Sequence, residues 1–140
     1  MHLTTTRLAA AVLVVLAAAC QRTSQVSPLA IAGDWTLTEL AGQPAPNGYD
    51  NRPATLRFEN DSTNVSGFAG CNRITSTYRI SGETLRFGAW GMTRMACPDG
   101  MDLERRLTVA LDATRRFAIT GSDLTLIGES GPLAKLTRTR

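Results

Sequence analysis

Cysteine supplies the first chemistry in this 140-residue chain, and its three copies sit in different settings. Cys20 directly follows Ala17-Ala18-Ala19, which are preceded by an apolar run over residues 8–16 and by a start, residues 1–7, that carries Arg7. A basic opening, a short apolar stretch and small residues at a cut are the parts of a secretory signal peptide. A cysteine at the cut is the pattern of a bacterial lipoprotein signal, in which the thiol is acylated and cleavage leaves Cys20 first. The leucine more usual three places before that cysteine is replaced by Ala17, with Leu16 one step further out. The plainer reading is an ordinary signal peptide that happens to end in cysteine. A transmembrane helix fits worse, because the run falls short of the ~20 apolar residues that cross a bilayer. Gln21 follows the cysteine instead of Asp, which points to an outer-membrane address.

With Cys20 committed to lipid, Cys71 and Cys97 are left in an oxidising compartment and are expected to pair. Closing that loop is worth roughly 3.5 kcal/mol on the chain-entropy estimate. Two free thiols, one of them reactive, are the alternative. A thioredoxin-type redox pair is disfavoured, since that chemistry uses C-x-x-C and these two lie far apart. The only histidine, His2, falls within the signal. Without imidazole the rest of the chain lacks the base of Ser-His-Asp and Cys-His catalysis and the usual ligand of zinc and iron. Met92, Met95 and Met101 flank Cys97, so a thioether copper(I) site is conceivable; the plainer role is filling gaps in a core. Ser130, within Gly128-Glu129-Ser130-Gly131, misses the G-x-S-x-G spacing and has no base. Carboxylate-only catalysis is a remote alternative, because paired acids meet in space and not in sequence. No catalytic residue, metal ligand or cofactor is assigned.

These residues must be positioned by a chain of about 120 residues once the signal is removed, enough for one domain that hides roughly two-thirds of its unfolded surface. The formal charge of +3 includes Arg7. What remains is too weak and dispersed to argue for nucleic acid. Residues 20–32 read as a lipidated N-terminus and tether, and residues 33–140 as the folded domain. Trp35 and Leu37 alternate with Thr36 and Thr38, the period of a half-buried strand. Residues 42–53 form a loop punctuated by Pro44, Pro46, Gly48 and Pro53. Further strands follow at Leu56 and Phe58, at residues 64–69, along Ile74, Ser76, Tyr78 and Ile80, and at Leu85 and Phe87. Turns arriving every eight to twelve residues suggest an antiparallel meander. From Asp102 to about Thr114 the pattern changes: Leu103, Leu107, Ala110 and Leu111 form one helical stripe, with Asp99 or Asp102 available to cap it. Residues 117–120, 124–127 and 132–137 complete the strands. The expected architecture is α+β, a strongly curved antiparallel sheet or open barrel of seven to eight short strands with one helix against it.

The segment Ser66-Gly67-Phe68-Ala69-Gly70-Cys71-Asn72-Arg73, then Tyr78, then Thr93-Arg94-Met95-Ala96-Cys97-Pro98, resembles the META domain family of the HslJ heat-shock lipoprotein type. Gly33-Asp34-Trp35-Thr36-Leu37 is similar to that family's opening strand, and Glu104, Leu107 and Leu111 to its helix. Ser76 departs from the family, which more often has Gly there for a sharper bend. The resemblance spans about residues 33–136. It implies a single META domain, typically envelope-anchored or secreted, with no settled biochemical activity and no catalytic residue to carry over.

Read from their chemistry, Gly67 and Gly70 suit a bulge or a φ > 0 corner, and Asn72 tolerates left-handed geometry while its amide bonds local backbone. The competing role is binding, by Asn72 with Arg73 or Arg94. The doublets Arg105-Arg106 and Arg115-Arg116 follow Asp102 and Asp112 by three and four residues, the spacing of intrahelical pairs. Lys135, Arg138 and Arg140 form a basic tail that would supplement attachment to a membrane surface. The leading expectation is a non-enzymatic lipoprotein of the bacterial envelope, on the periplasmic side of the outer membrane. It would bind an envelope protein or apolar partner through Asn72, Arg73 and Arg94, or act as an envelope-stress accessory that supports outer-membrane integrity, with the membrane as its second partner through Cys20. A carrier of a small apolar ligand or lipid in the open end of the sheet is the alternative.

Overall fold

A computed structural model describes residues 30–140; the expected signal peptide, Cys20 and the tether up to residue 29 lie outside the described residues. The elements run β1 (Gly33–Leu40), β2 (Gln43–Pro44), β3 (Thr55–Phe58), β4 (Asn64–Phe68), β5 (Arg73–Ser81), β6 (Thr84–Phe87), β7 (Gly91–Met92), α1 (Met101–Ala113), β8 (Arg116–Thr120), β9 (Asp123–Ile127) and β10 (Pro132–Arg138). Eight of the strands pair antiparallel in the order β1, β3, β4, β5, β6, β8, β9, β10, and β10 returns to β1, so the expected curved sheet closes into a barrel. The two-residue strands β2 and β7 lie outside this ring, on β1 and β5.

Alternation places the core. Trp35, Leu56 and Ile74 lie in one cross-strand row and are at most 1% exposed, and Phe58, Phe117, Leu124 and Leu126 are equally hidden. The aromatic rings of Trp35, Phe58, Tyr78 and Phe117 and the buried aliphatic side chains of the strands fill the inside of the ring, as expected for a barrel of this strand number. The seam between β6 and β8 is the weak joint of the ring, with the single residue pair Thr84↔Arg116. It arises because α1 interrupts the meander there, and the helix lays Leu103, Leu107, Ala110 and Leu111 onto the core.

The start of the helix differs from expectation. Neither Asp99 nor Asp102 caps it; Gly100 occupies the N-cap with φ +90 and no side-chain cap bond. Space decides this, because a Cβ on Gly100 would run into the Gly70 carbonyl and the Tyr49 backbone nitrogen. Asp102 and Glu104 lie in the first turn instead, where the macrodipole favours acids. The helix also stops at Ala113, before the second arginine doublet, so the Asp112 carboxylate forms no ion pair with it. Arg115 instead donates to the Asp112 carbonyl at 2.8 Å and lies 3.8 Å from Glu129, while Arg116 begins β8.

The domain starts earlier than residue 33. Ile31 is fully buried, and its carbonyl accepts the Trp35 indole N–H at 2.7 Å. Arg138 lies over the Trp35 ring at 4.3 Å and donates to the Ala30 and Ala32 carbonyls, each at 2.8 Å. The last strand thereby straps the entering chain to the barrel, and the end of the expected tether belongs to the core. Arg138→Ala removes a cation–π contact and two charge-assisted bonds, so unfolding by urea is expected to show a loss of about 2 kcal/mol. Arg140→Ala, on an exposed residue, should leave the midpoint unchanged.

Candidate functional site

Cys71 and Cys97 are joined, with Cα atoms 5.9 Å apart, and the residues around them form one end of the barrel. Three backbone segments meet there at glycines. A Cβ on Gly48 or Gly100 would collide with the Gly70 carbonyl, and Gly70 itself holds φ +122 against Leu103. The close crossing is closed by the Tyr49 N–H donating to the Gly70 carbonyl at 2.6 Å. Gly67, by contrast, does not take the expected left-handed corner; it is required because a Cβ would strike the Thr55 carbonyl of β3.

Asn72 follows the disulfide and is 3% exposed. Its φ is not positive, which corrects the expected left-handed geometry. Its side-chain oxygen accepts from the Met95 N–H at 2.7 Å and the Thr93 hydroxyl at 3.0 Å. Its amide nitrogen donates to the Met95 carbonyl at 3.2 Å and to Glu104 Oε1 at 3.1 Å. The Asn72 backbone N–H donates to Glu104 Oε2 at 2.6 Å. Both donors and both lone pairs of the amide are therefore used within the protein, and nothing is left over for a partner. Asn72 is a brace, not a binding group. Glu104, buried beside it, is the residue that reading for function missed. The signal was an acid placed three residues before Leu107 and seven before Leu111, inside the apolar stripe.

The two arginines differ from Asn72. Arg73 and Arg94 are exposed, and among the described residues neither guanidinium makes a hydrogen bond or ion pair. Their backbone is fixed all the same: the Arg73 N–H donates to the Thr93 hydroxyl at 3.0 Å, and the Thr93 N–H to the Arg73 carbonyl at 3.1 Å. The methionines also depart from expectation. Met92, Met95 and Met101 are 40–54% exposed and fill no gap in the core. Tyr49, also exposed, lies against the same crossing. The Met95 loop is thus pinned by Asn72 and the disulfide while its side chains face outward. Ser76, at the position where the family more often has Gly, donates to the Ala89 carbonyl at 3.1 Å and ties down the chain leading into β7.

Elsewhere, the basic tail is largely committed. Lys135 pairs with Glu39 at 3.0 Å, and Arg138 holds Trp35 and the entering chain, so the expected cluster for surface attachment does not form. Arg105 and Arg106 both pair with Asp102, as their spacing implied. Among the described residues no group of three acidic, cysteine or histidine side chains is placed to hold a metal, and no helix is long and apolar enough to cross a membrane. An open apolar groove of about 370 Å³ lies between Leu40, Val109, Ala113 and Leu133.

Glu104→Ala would leave the Asn72 backbone N–H and one amide N–H buried without an acceptor. A stability loss of about 3 kcal/mol in urea unfolding is expected. In contrast, Arg73→Ala and Arg94→Ala should each change stability by less than about 0.5 kcal/mol.

The comparisons with known proteins follow this architecture. The family model for the META domain matches residues 27–140. A protein from Burkholderia xenovorans solved by NMR is similar at 26% identity and TM-score 0.63, over 76% of this chain and 81% of that one. A second NMR structure is similar at 25% identity and TM-score 0.57, over 74% of this chain and 86% of its own. A crystal structure of a DUF4847 family protein from Bacteroides vulgatus, at 12% identity and TM-score 0.53, shares the fold, with 77% and 93% covered. No curated protein matches. With the family model spanning the barrel, the helix and the braced disulfide alike, the chain belongs to the META domain family.

Proposed function

We propose that this protein is a non-enzymatic binding module of the bacterial envelope, anchored through lipid on Cys20, whose partner surface is the disulfide end of the barrel. The observation that carries this reading is the outward display of Met92, at the end of β7, and of Arg94 and Met95, in the loop after it, beside Arg73 at the start of β5, with that loop fixed by Asn72 and the disulfide. Methionine and arginine are enriched at protein interfaces, and exposed methionine adapts to the shape that meets it. Prior fixing of the backbone by Asn72 and the disulfide lowers the ordering cost of association.

Geometry supports an anchored role as well. In β1, Gly33 pairs with Phe58 at one end of β3, whereas Thr55 at the other end pairs with Phe68, next to the disulfide. The described chain therefore enters at the pole opposite the proposed surface. A lipid on Cys20 would leave that surface turned away from the membrane, toward other envelope proteins. The carrier alternative meets a filled interior, so an apolar ligand would have to lie in the outer groove at Leu40, Val109 and Leu133.

Measurements on protein from the native host test the proposal. Protein from the native host should partition into detergent and carry the mass of its acyl chains, and Cys20→Ser should abolish both; unmodified, soluble wild type defeats the anchor. Pull-down from crosslinked envelopes should retain a specific partner that the Arg73→Ala, Arg94→Ala double variant loses while keeping its melting temperature. Retention by the double variant defeats the surface, and turnover of an envelope substrate that depends on one carboxylate defeats the non-enzymatic reading. Native mass spectrometry that shows a bound lipid would favour the carrier.

A further inference from the structure

The outer faces of β3, β4 and β5 hold an arrangement that a protein-docking surface does not require. Register places Thr36, Thr55, Phe68 and Arg73 in one row and Asp34, Arg57, Ser66 and Thr75 in another. The row Trp35, Leu56, Gly67 and Ile74 faces the core, so Phe68 points outward. Yet it is only 6% exposed, because the Arg52 guanidinium lies over its ring at 4.3 Å. Between these rows runs an open groove of about 310 Å³, with Arg52, Arg57 and Arg73 among its walls.

The groove is rich in donors and poor in acceptors. Its one carboxylate, Asp34, already accepts from Arg57 at 3.0 and 3.2 Å, and Arg57 also reaches Glu59 at 3.3 Å. Those acids neutralise Arg57 and hold it still. Arg52 and Arg73 have no ion pair among the described residues. Thr55, Ser66 and Thr75 line the same groove, and among the described residues their hydroxyls make no hydrogen bond to the protein. Stacking engages the face of the Arg52 guanidinium and leaves its edge N–H groups for an anion, already oriented.

We propose that this groove binds a phosphate group carried by a small ligand, with Arg52 and Arg73 supplying the charge and the three hydroxyls the remaining donors. A tetrahedral oxyanion offers several acceptor oxygens to such a donor set, where a carboxylate offers two. The proposal rests on the reading that the Arg73 side of the barrel is a binding surface, and it names the chemistry of one ligand there.

The test titrates inorganic phosphate and glycerol phosphate into the intact protein in low-salt buffer, followed by amide NMR. Perturbations should concentrate at Arg52, Ser66, Phe68 and Arg73, with a dissociation constant that Arg73→Gln weakens about tenfold and high salt weakens further. Arg52→Gln should act likewise; because it also uncovers Phe68, Arg73→Gln and Thr75→Val, both at exposed positions, decide the matter if it misfolds. Perturbations spread evenly over Arg86, Arg105 and Arg116, or affinity unchanged in Arg73→Gln, overturn the site. Binding to phosphatidylglycerol vesicles without binding of glycerol phosphate would assign the anion to a lipid surface and overturn the small ligand. Arg94 lies outside the groove. Loss of the envelope partner in Arg94→Ala with phosphate affinity intact separates failure of the partner reading from failure of this one.

Discussion

The hydrogen bonds between Asn72 and Glu104 hold together what the chain order separates. One buried carboxylate joins the start of β5 to the first turn of the helix, 32 residues later, while the same asparagine fastens Met95 in between. The disulfide runs parallel to this link, from the residue before Asn72 to the same loop. A buried polar network is stabilising only when every member is satisfied, and here the amide has no unused donor or acceptor. The glycine crossing of Gly48, Gly70 and Gly100 makes room for the arrangement, since any side chain there would push the three backbones apart.

That constraint bears on function through rigidity. The interior of the barrel is taken up by Trp35, Phe58, Phe117 and their aliphatic neighbours, so recognition is moved to the outside. A loop with few regular hydrogen bonds would ordinarily be mobile. This one is tied at Thr93, Met95 and Cys97, so the Met95 and Arg94 side chains are presented from a fixed base. The strap of Arg138 over Trp35 does the same for the opposite pole, where the chain enters. Both poles are thus secured by side chains that arrive from distant sequence.

Much of this was legible from the residues alone. The alternation Trp35, Leu37 and Leu56, Phe58 marked strands, the stripe Leu103, Leu107, Leu111 marked a helix, and the cysteine count pointed to one bridge. Asn72 has the chemistry of either a brace or a binding group, and its amide spends every donor and acceptor as a brace, whereas Arg73 and Arg94 keep their exposed guanidiniums. Asp99 and Asp102 have the chemistry of a helix cap, but the crowding at Gly70 leaves space for glycine only. Methionine commonly fills gaps in a core, but Met92 ends the outlying strand β7, Met95 sits on the loop held outside the core and Met101 opens the helix, and all three are exposed.

Periodicity in the sequence determined which face of each element is buried, since side-chain direction repeats every two residues in a strand and every 3.6 in a helix. Short segments in a set order, not periodicity, carry the resemblance to the META domain family, and the family model over residues 27–140 shows the membership. What lies opposite a buried face is a property of the closed chain. Closure of β1 on β10, the meeting of Asn72 with Glu104 and the stacking of Arg138 on Trp35 join residues 32 to 103 positions apart, and no local pattern encodes such contacts. Pairing of the first and last strands brings Arg138 to Trp35, and packing of the helix stripe on the core brings Glu104 to Asn72, so each contact exists only once the distant elements have met.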